Sequence, residues 1–107
     1  MDTTLEALQQ ELRRYSSKKH AEALQWFFKT GPGEYAEGDI FIGVKVPNIR
    51  AVAKKFNGIG LKDVTGLLRS KIHEERLTAL LILVSKYDKA GGGERERIYK
   101  VYITTLS

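Results

Sequence analysis

The sequence contains no cysteine, and it has one tryptophan, two prolines and two histidines among its 107 residues. Without cysteine, neither a disulfide framework nor a thiolate metal site can form. The longest uninterrupted apolar run, residues 79–84, is far too short to span a membrane. The first 17 residues lack the apolar segment of a secretory signal. These absences predict a soluble cytoplasmic protein.

Recognisable catalytic motifs are also missing. "HEER" at residues 73–76 has no second histidine, so it is not the HExxH pattern of zinc enzymes, and His73 is predicted to lie on the surface in the first turn of a helix. "GPGEYAEG" lacks the Lys-Ser/Thr pair of a phosphate-binding P-loop, and no strand precedes it. The residues alone therefore contain no recognisable set of catalytic residues.

The surplus positive charge lies in one segment. The net charge is +5, and residues 45–71 contain seven basic residues and one acidic residue, whereas the rest of the chain has eleven bases and twelve acids. Such a segment is suited to holding phosphates, although a solvated lysine-rich helix face would have the same composition. The candidate phosphate-binding residues are Lys45, Arg50, Lys54 and Lys55.

Apolar residues at helical spacing predict six helices. The predicted ranges are 3–16, 18–29, a third helix from Pro47 to a stop at Asn57-Gly58, 61–69, 70–89, and 94–104 after the break at Gly91-Gly92-Gly93. Six helices in one domain predict an all-α fold of stacked antiparallel hairpins, an α-solenoid, with a closed helical bundle as the alternative.

The helix faces can also be predicted. The fifth helix has an apolar stripe formed by Leu77, Leu80, Leu81, Val84 and Tyr87. In the sixth helix Ile98, Val101 and Tyr102 are predicted to face inward. Tyr99, Ile103 and Leu106 would then stay uncovered, together with Ile82 and Leu83 of the fifth helix, which predicts self-association through the C-terminal helices. Trp26 is predicted to pack at a helix junction.

The stretch "FKTGPGEYAEGDIFIGVKVP", residues 28–47, is too long for a plain connection between helices. Its four glycines permit positive φ angles and close backbone approach. Its apolar residues are predicted to plug the space between the second and third helices, and a direct role in ligand binding is the alternative. The predicted structural residues of this loop are Gly31, Pro32, Gly33, Tyr35, Gly38, Phe41 and Gly43.

"WFFKTGPGEYAEGDIFIGVKVPNIRAVAKKF", followed by "IHEERLTALLILVSKYDKA", resembles the AlkD-like family of DNA alkylation repair proteins. The resemblance extends from about Lys18 to about Tyr102. It implies a C-shaped solenoid of HEAT-like repeats with a basic concave face. It also implies a DNA glycosylase that hydrolyses the N-glycosidic bond of N3- and N7-alkylated purines in duplex DNA, without a metal or organic cofactor.

One part of the family pattern has no counterpart here. In the family, a Trp-Asp segment that supplies the acid and one tryptophan begins just after the helix matching residues 94–105. This sequence ends at Ser107, and Trp26 is not that residue, so no catalytic residue can be carried over. We therefore expect the N-terminal part of a glycosylase-type solenoid, a natural short form or a truncation, that is inactive alone. A non-catalytic module that binds duplex DNA, or a scaffold for a protein partner, is the alternative.

Overall fold

The computed structural model describes residues 4–28, 30–33 and 37–106, and within these ranges it contains six helices and no strand. The helices are α1 (Leu5–Arg14), α2 (Lys18–Phe27), α3 (Val46–Lys55), α4 (Leu61–Leu68), α5 (His73–Lys89) and α6 (Gly92–Leu106). An isolated parallel bridge joins Ile40 and Ile72. The predicted all-α fold is confirmed.

Hydroxyl side chains begin the first two helices. The Thr4 hydroxyl accepts a 3.2 Å hydrogen bond from the backbone N–H of Ala7, and the Ser17 hydroxyl accepts one of the same length from His20. These bonds satisfy amides that have no partner inside the helix. Pro47 stands in the first turn of α3, where its missing N–H costs nothing.

Helix α5 lies at the centre of the packing. It contacts α1, α3, α4 and α6, while α1 also packs against α3 and α6 against α4. Helices that stack on their neighbours in this way form an all-α helical-repeat fold, as the sequence predicts. Fully buried aliphatic residues fill the contacts, including Leu8, Leu12, Ile49, Val52, Val64, Leu67, Ala79 and Ile82.

The buried side of α5 differs from the predicted stripe. Glu74, Glu75, Thr78, Ala79, Ile82 and Leu83 are buried. Val84 and Tyr87 are instead 50% and 40% exposed, so their predicted place in the stripe is wrong, as is the prediction that Ile82 and Leu83 are uncovered. The polar residues on this side have hydrogen-bond partners, which makes their burial possible. One example is the Thr78 hydroxyl, which donates to the carbonyl of Glu74 at 2.7 Å.

Helix α5 begins at His73 and not at Ser70, because an extended segment precedes it. The backbone N–H of Ile40 donates to the carbonyl of Lys71 at 3.0 Å, and the N–H of His73 donates to the carbonyl of Ile40 at 2.8 Å. These bonds hold residues 71–73 against the loop that follows α2. The loop is therefore bonded to the segment that directly precedes the central helix.

Helix α6 begins inside the glycine run, at Gly92, two residues earlier than predicted. Only residues 90 and 91 separate it from α5. The guanidinium of Arg95 donates to the carbonyls of Tyr87 and Ala90, at 3.1 and 3.0 Å. A side chain of α6 thereby satisfies carbonyls at the C-terminal end of α5.

The end of α2 presents aromatic side chains to solvent. Trp26 is 84% exposed and Phe27 is 69% exposed, so the prediction that Trp26 packs at a helix junction is wrong. Ala21 is the buried residue of this helix, and a residue five positions later points about 140° away from it. Within the described ranges, no helix has the length and apolar character needed to cross a membrane.

Candidate nucleic-acid interface

A cleft of about 390 Å³ lies between α3 and α5 and is lined by basic and neutral polar side chains. We call it the basic cleft and define it by Arg50, Lys54, Asn57, Ser85 and Lys89. Ala53 and Leu81 complete its lining, and none of these seven residues is acidic. A concave surface lined by charges of one sign concentrates their field and attracts the opposite charge.

The helices bring these side chains to one place. Arg50 and Lys54 are one turn apart on α3, and Ser85 and Lys89 are one turn apart on α5. All three cations are exposed. Among the residues that the structure describes, none of the ion pairs includes any of them. Their charges therefore remain available to an anionic ligand.

Lys55 points away from the basic cleft, towards α1. Its ammonium nitrogen lies 2.7 Å from the Glu11 carboxylate, which also accepts from Arg14 at 2.8 Å. The hydrogen bond from Lys55 holds the pKa of Glu11 below its ordinary value. The charge of Lys55 is already matched by a carboxylate within the fold.

Lys45, the residue that precedes α3, lines a different cavity of about 400 Å³. We call this cavity the aromatic pocket and define it by His20, Phe28, Phe41, Lys45, His73 and Glu74. The structure thus brings two of the four candidate phosphate-binding residues, Arg50 and Lys54, into one cleft. It places Lys45 and Lys55 elsewhere, and phosphate binding by all four stays a prediction.

A buried carboxylate holds the loop between α2 and α3. Glu74 is 1% exposed, and its two oxygens accept hydrogen bonds from three successive backbone N–H groups. The distances are 3.1 Å to Ile42, 2.8 Å to Gly43 and 3.2 Å to Val44. Charge-assisted bonds of this kind are stronger than bonds between neutral groups. They tie the loop to the first turn of α5.

Gly43 has a φ angle of 83°, which disfavours any residue with a side chain. A Cβ atom at this position would collide with the carbonyl oxygen of Ser17 and lie 2.8 Å from the backbone nitrogen of Ala21. The loop therefore contacts the first turn of α2 through bare backbone. Gly33 and Gly38 also have positive φ angles, of 76° and 87°, but a Cβ atom there would meet nothing within 4 Å.

The other predicted loop residues have varied surroundings. Gly31 is not among the described glycines with a positive φ angle, and Pro32 is exposed in a turn. Tyr35 lies outside the described residues. Phe41 is 4% exposed, and its ring stacks on that of Phe28 with centroids 5.4 Å apart. Phe41 thus fills the space between the end of α2 and the start of α5.

His73 is half-buried against this aromatic pair, and the prediction that it is a surface residue is wrong. Its ring centroid lies 4.6 Å from that of Phe41 and 6.3 Å from that of Phe28. Burial lowers the pKa of His73 despite the opposing effect of the neighbouring Glu74 carboxylate. The imidazole therefore stays neutral to a lower pH than an exposed histidine would.

Sequence reasoning did not identify Lys89, Ser85 or Asn57 as part of the basic cleft, nor Glu74 as the anchor of the loop. Lys89 lies outside the basic segment 45–71, and only the packing of α5 on α3 brings it near Lys54. The spacing of Ser85 and Lys89 was a usable signal, because it matches the one-turn spacing of the α3 pair. Nothing in the sequence indicated that Glu74 holds the loop between α2 and α3.

The described residues do not include a group of His, Cys, Asp and Glu that could hold a metal ion. The more buried acids are engaged within the fold. Glu74 binds the loop, Glu75 accepts from the Gln9 amide at 3.3 Å, and Asp39 pairs with Arg76 at 3.0 Å. These three carboxylates therefore each have a partner within the fold.

Comparison with known proteins assigns the chain to a family. A family model described as DNA alkylation repair enzyme matches residues 8–107. No curated protein and no solved structure matches the chain. The matched range includes α2 to α6, the basic cleft and the loop anchored by Glu74. The chain therefore belongs to the DNA alkylation repair enzyme family.

Proposed function

We propose that this protein acts in DNA alkylation repair of the glycosylase type, in which the N-glycosidic bond of N3- or N7-alkylated purines is hydrolysed, and that its basic cleft holds the backbone of duplex DNA. The observation that carries the proposal is the grouping of Arg50, Lys54 and Lys89, all exposed and without a carboxylate in the cleft. Membership of the repair family supports DNA as the anion.

The neutral side chains of the cleft fit the same role. Asn57 and Ser85 lie beside the three cations and can donate hydrogen bonds to phosphate oxygens. Contacts from such groups to phosphates position a protein on the duplex and carry no sequence information. We expect the binding to tolerate any DNA sequence and to weaken steeply as salt is added.

The test is the affinity for an undamaged duplex at a series of salt concentrations. Replacing Arg50, Lys54 and Lys89 by alanine should make the slope of log affinity against log salt shallower, by about 0.9 for each phosphate that the variant no longer neutralises. A matched variant with Lys18 and Lys19 of α2 replaced by alanine should keep the wild-type slope. Equal slopes for all three proteins would remove the basis of the proposal.

The proposal includes inactivity of this chain alone. Its support is that Glu74, Glu75 and Asp39 are each engaged by another group of the fold. The experiment measures release of 7-methylguanine from alkylated duplex DNA. Release well above the spontaneous rate would contradict the proposal. The acids to replace next would then be those of the loop, namely Glu34, which lies outside the described residues, Glu37 and Asp39.

A protein partner is the second candidate, favoured by one observation. Val84, Tyr87, Tyr99 and Ile103, which we call the α5–α6 face, are 40–58% exposed. A groove of about 240 Å³ runs between these two helices and has an apolar lining that includes Tyr102. Exposed apolar residues that lie together often mark a site of association. The partner we propose for this face is a second copy of the chain.

A further inference from the structure

The aromatic pocket is separate from the basic cleft and has a different chemistry. It opens between α2, the start of α3 and the first turn of α5, and its volume of about 400 Å³ is within the range of small-molecule sites, about 300–1,000 Å³. Aliphatic side chains complete the lining. The proposed DNA-backbone contacts in the basic cleft do not use this cavity.

One wall of the pocket is a cluster of three rings in mutual contact, with centroids 5.4 Å apart for Phe28 and Phe41, 4.6 Å for Phe41 and His73, and 6.3 Å for Phe28 and His73. The rings of Phe28 and Phe41 are nearly parallel, with an angle of 12° between their planes, and the imidazole of His73 is tilted by 31° from Phe41. Phe41 is buried, whereas Phe28 is 44% exposed. Phe27 packs edge-on against Phe28 at 5.1 Å, and part of the Phe28 ring remains accessible. Such a ring is a surface on which a nucleobase can stack, because every base has a π-face.

The charges of the pocket favour an anion beside this wall. Glu74 is the one acid in the lining, and its oxygens are occupied by the backbone N–H groups of the loop. Lys45 is exposed, and among the described residues it takes part in no ion pair. It precedes α3, whose N-terminus has no side-chain cap and carries partial positive charge. His20 adds a further hydrogen-bonding group.

We propose that the aromatic pocket binds a single nucleotide, with its base against Phe28 and its phosphate near Lys45 and His20. The nucleotide can be free or can be an unpaired residue of a DNA strand, since both present the same base and phosphate. Binding of an unpaired DNA residue rests on the proposed function in DNA repair, whereas binding of a free nucleotide does not. Aliphatic lining and one aromatic face suit the base, and the cation suits the phosphate.

The experiment uses the whole chain, labelled with ¹⁵N, and follows its amide signals during addition of deoxyadenosine monophosphate. A short single-stranded oligonucleotide and an undamaged duplex are added to separate samples. Shifts at Lys45, His73 and the end of α2 are expected with the mononucleotide, while Lys54 and Lys89 should be unaffected by it.

Two surface variants test the residues, and a third is the control. Phe28→Ala removes the stacking face and should weaken mononucleotide binding by roughly 5- to 150-fold. Lys45→Ala, at an exposed position whose side chain forms no cap hydrogen bond, should weaken it as well. Lys54→Ala should leave mononucleotide affinity unchanged while it reduces binding of the duplex.

The results distinguish a free nucleotide from an unpaired nucleotide of a strand. They also test nucleotide binding in the aromatic pocket separately from duplex binding in the basic cleft. Tighter binding of the oligonucleotide through the same residues supports an unpaired nucleotide of a strand, and equal binding supports a free nucleotide. Mononucleotide binding that persists when duplex binding shows no salt dependence supports the pocket while contradicting the proposed function. Absence of nucleotide binding, or binding that survives both Phe28→Ala and Lys45→Ala, overturns the inference.

Discussion

The carboxylate of Glu74 accepts a 2.8 Å hydrogen bond from the backbone N–H of Gly43, which lies 31 positions earlier in the chain. The bond joins the first turn of the central helix α5 to the loop that follows α2. The same loop approaches α2 so closely that Gly43 has no room for a side chain. The anchored loop thus connects α2 to the central helix α5.

We predict that Glu74→Gln destabilises the protein, because a carboxamide of the same shape carries no charge and directs an NH₂ group towards N–H groups that need an acceptor. The expected loss of unfolding free energy is about 1–3 kcal/mol. Urea denaturation measures it. Glu94→Gln is the control, since Glu94 forms an exposed pair with Arg97 and its loss should cost about 0.5 kcal/mol or less. Equal effects of the two substitutions would show that the loop does not depend on the carboxylate.

Gly43→Ala and Gly38→Ala form a matched pair. Both glycines have positive φ angles, so alanine costs about 1–2 kcal/mol at either position. A methyl group at Gly43 also collides with the backbone of α2, whereas at Gly38 it meets open space. We therefore expect Gly43→Ala to be clearly the more destabilising of the two in a thermal melt. The interpretation would fail if both variants melted at the same temperature.

The loop illustrates what its sequence could and could not predict. Its length and glycines indicated an ordered segment with unusual backbone angles, because glycine adopts positive φ without strain. The length and glycines of the loop did not reveal that Glu74 holds it. Glu74 follows a histidine at the start of a helix, where an acid is expected in any case because it interacts favourably with the helix dipole. Only the fold shows that this acid is buried beneath the loop.

Helix α5 and the basic cleft also have features that the sequence alone could not predict. Helical periodicity located α5, yet the buried side includes Thr78 and Glu75, which a hydrophobic pattern assigns to solvent. The charge surplus likewise indicated a basic face around Arg50 and Lys54. Lys89 could not be added to it, because its position beside α3 depends on the packing between helices that are distant in sequence.

The lowered pKa of His73 predicts a pH dependence of stability. Burial is the main cause, while Glu74 and Asp39 oppose it and Arg76 adds to it. Because the unfolded chain binds a proton at the ordinary pKa of about 6.5 and the folded chain only at a lower pH, the contribution of His73 is fully present above pH 6.5 and is lost as pH falls towards the folded pKa.

His73→Phe tests this dependence, since phenylalanine keeps a ring against Phe41 and cannot titrate. Urea denaturation between pH 7.5 and 5.5 should show wild-type stability falling relative to that of the variant as pH decreases. The comparison cancels contributions from the other charged groups near the pocket, including Lys45 and His20. Parallel curves for the two proteins would contradict the assignment.

Adjacent lysines on α3 give the sharpest test of the basic cleft. Lys54 lines the cleft and Lys55 pairs with Glu11, so the same substitution probes two environments one residue apart. We expect Lys54→Ala to reduce the salt slope of duplex binding by about 0.9, and Lys55→Ala to leave it nearly unchanged. The double variant should then match Lys54→Ala. An effect confined to Lys55→Ala would place the DNA on the side of α3 that faces α1.

The α5–α6 face predicts self-association. The sixth helix presents Tyr99 and Ile103 to solvent, as its sequence pattern predicts, and Ile98 packs inward at 3% exposure. Full burial of one aliphatic or aromatic side chain is worth about 1.5–3 kcal/mol, so pairing this face with a second copy would stabilise both. A two-fold dimer is the simplest closed arrangement. Sedimentation at micromolar concentration should show it.

Two valines provide matched variants for this last prediction. Val84 lies in the α5–α6 face and is 50% exposed, while Val46, at the start of α3, is 47% exposed. A two-fold interface brings both copies of Val84 into the same region, so Val84→Glu adds two carboxylates that lose water and repel each other. We expect Val84→Glu to be monomeric and Val46→Glu to associate like the wild type. A wild-type protein that remains monomeric throughout would contradict the dimer, and loss of association in Val46→Glu alone would move the interface to the α2–α3 side.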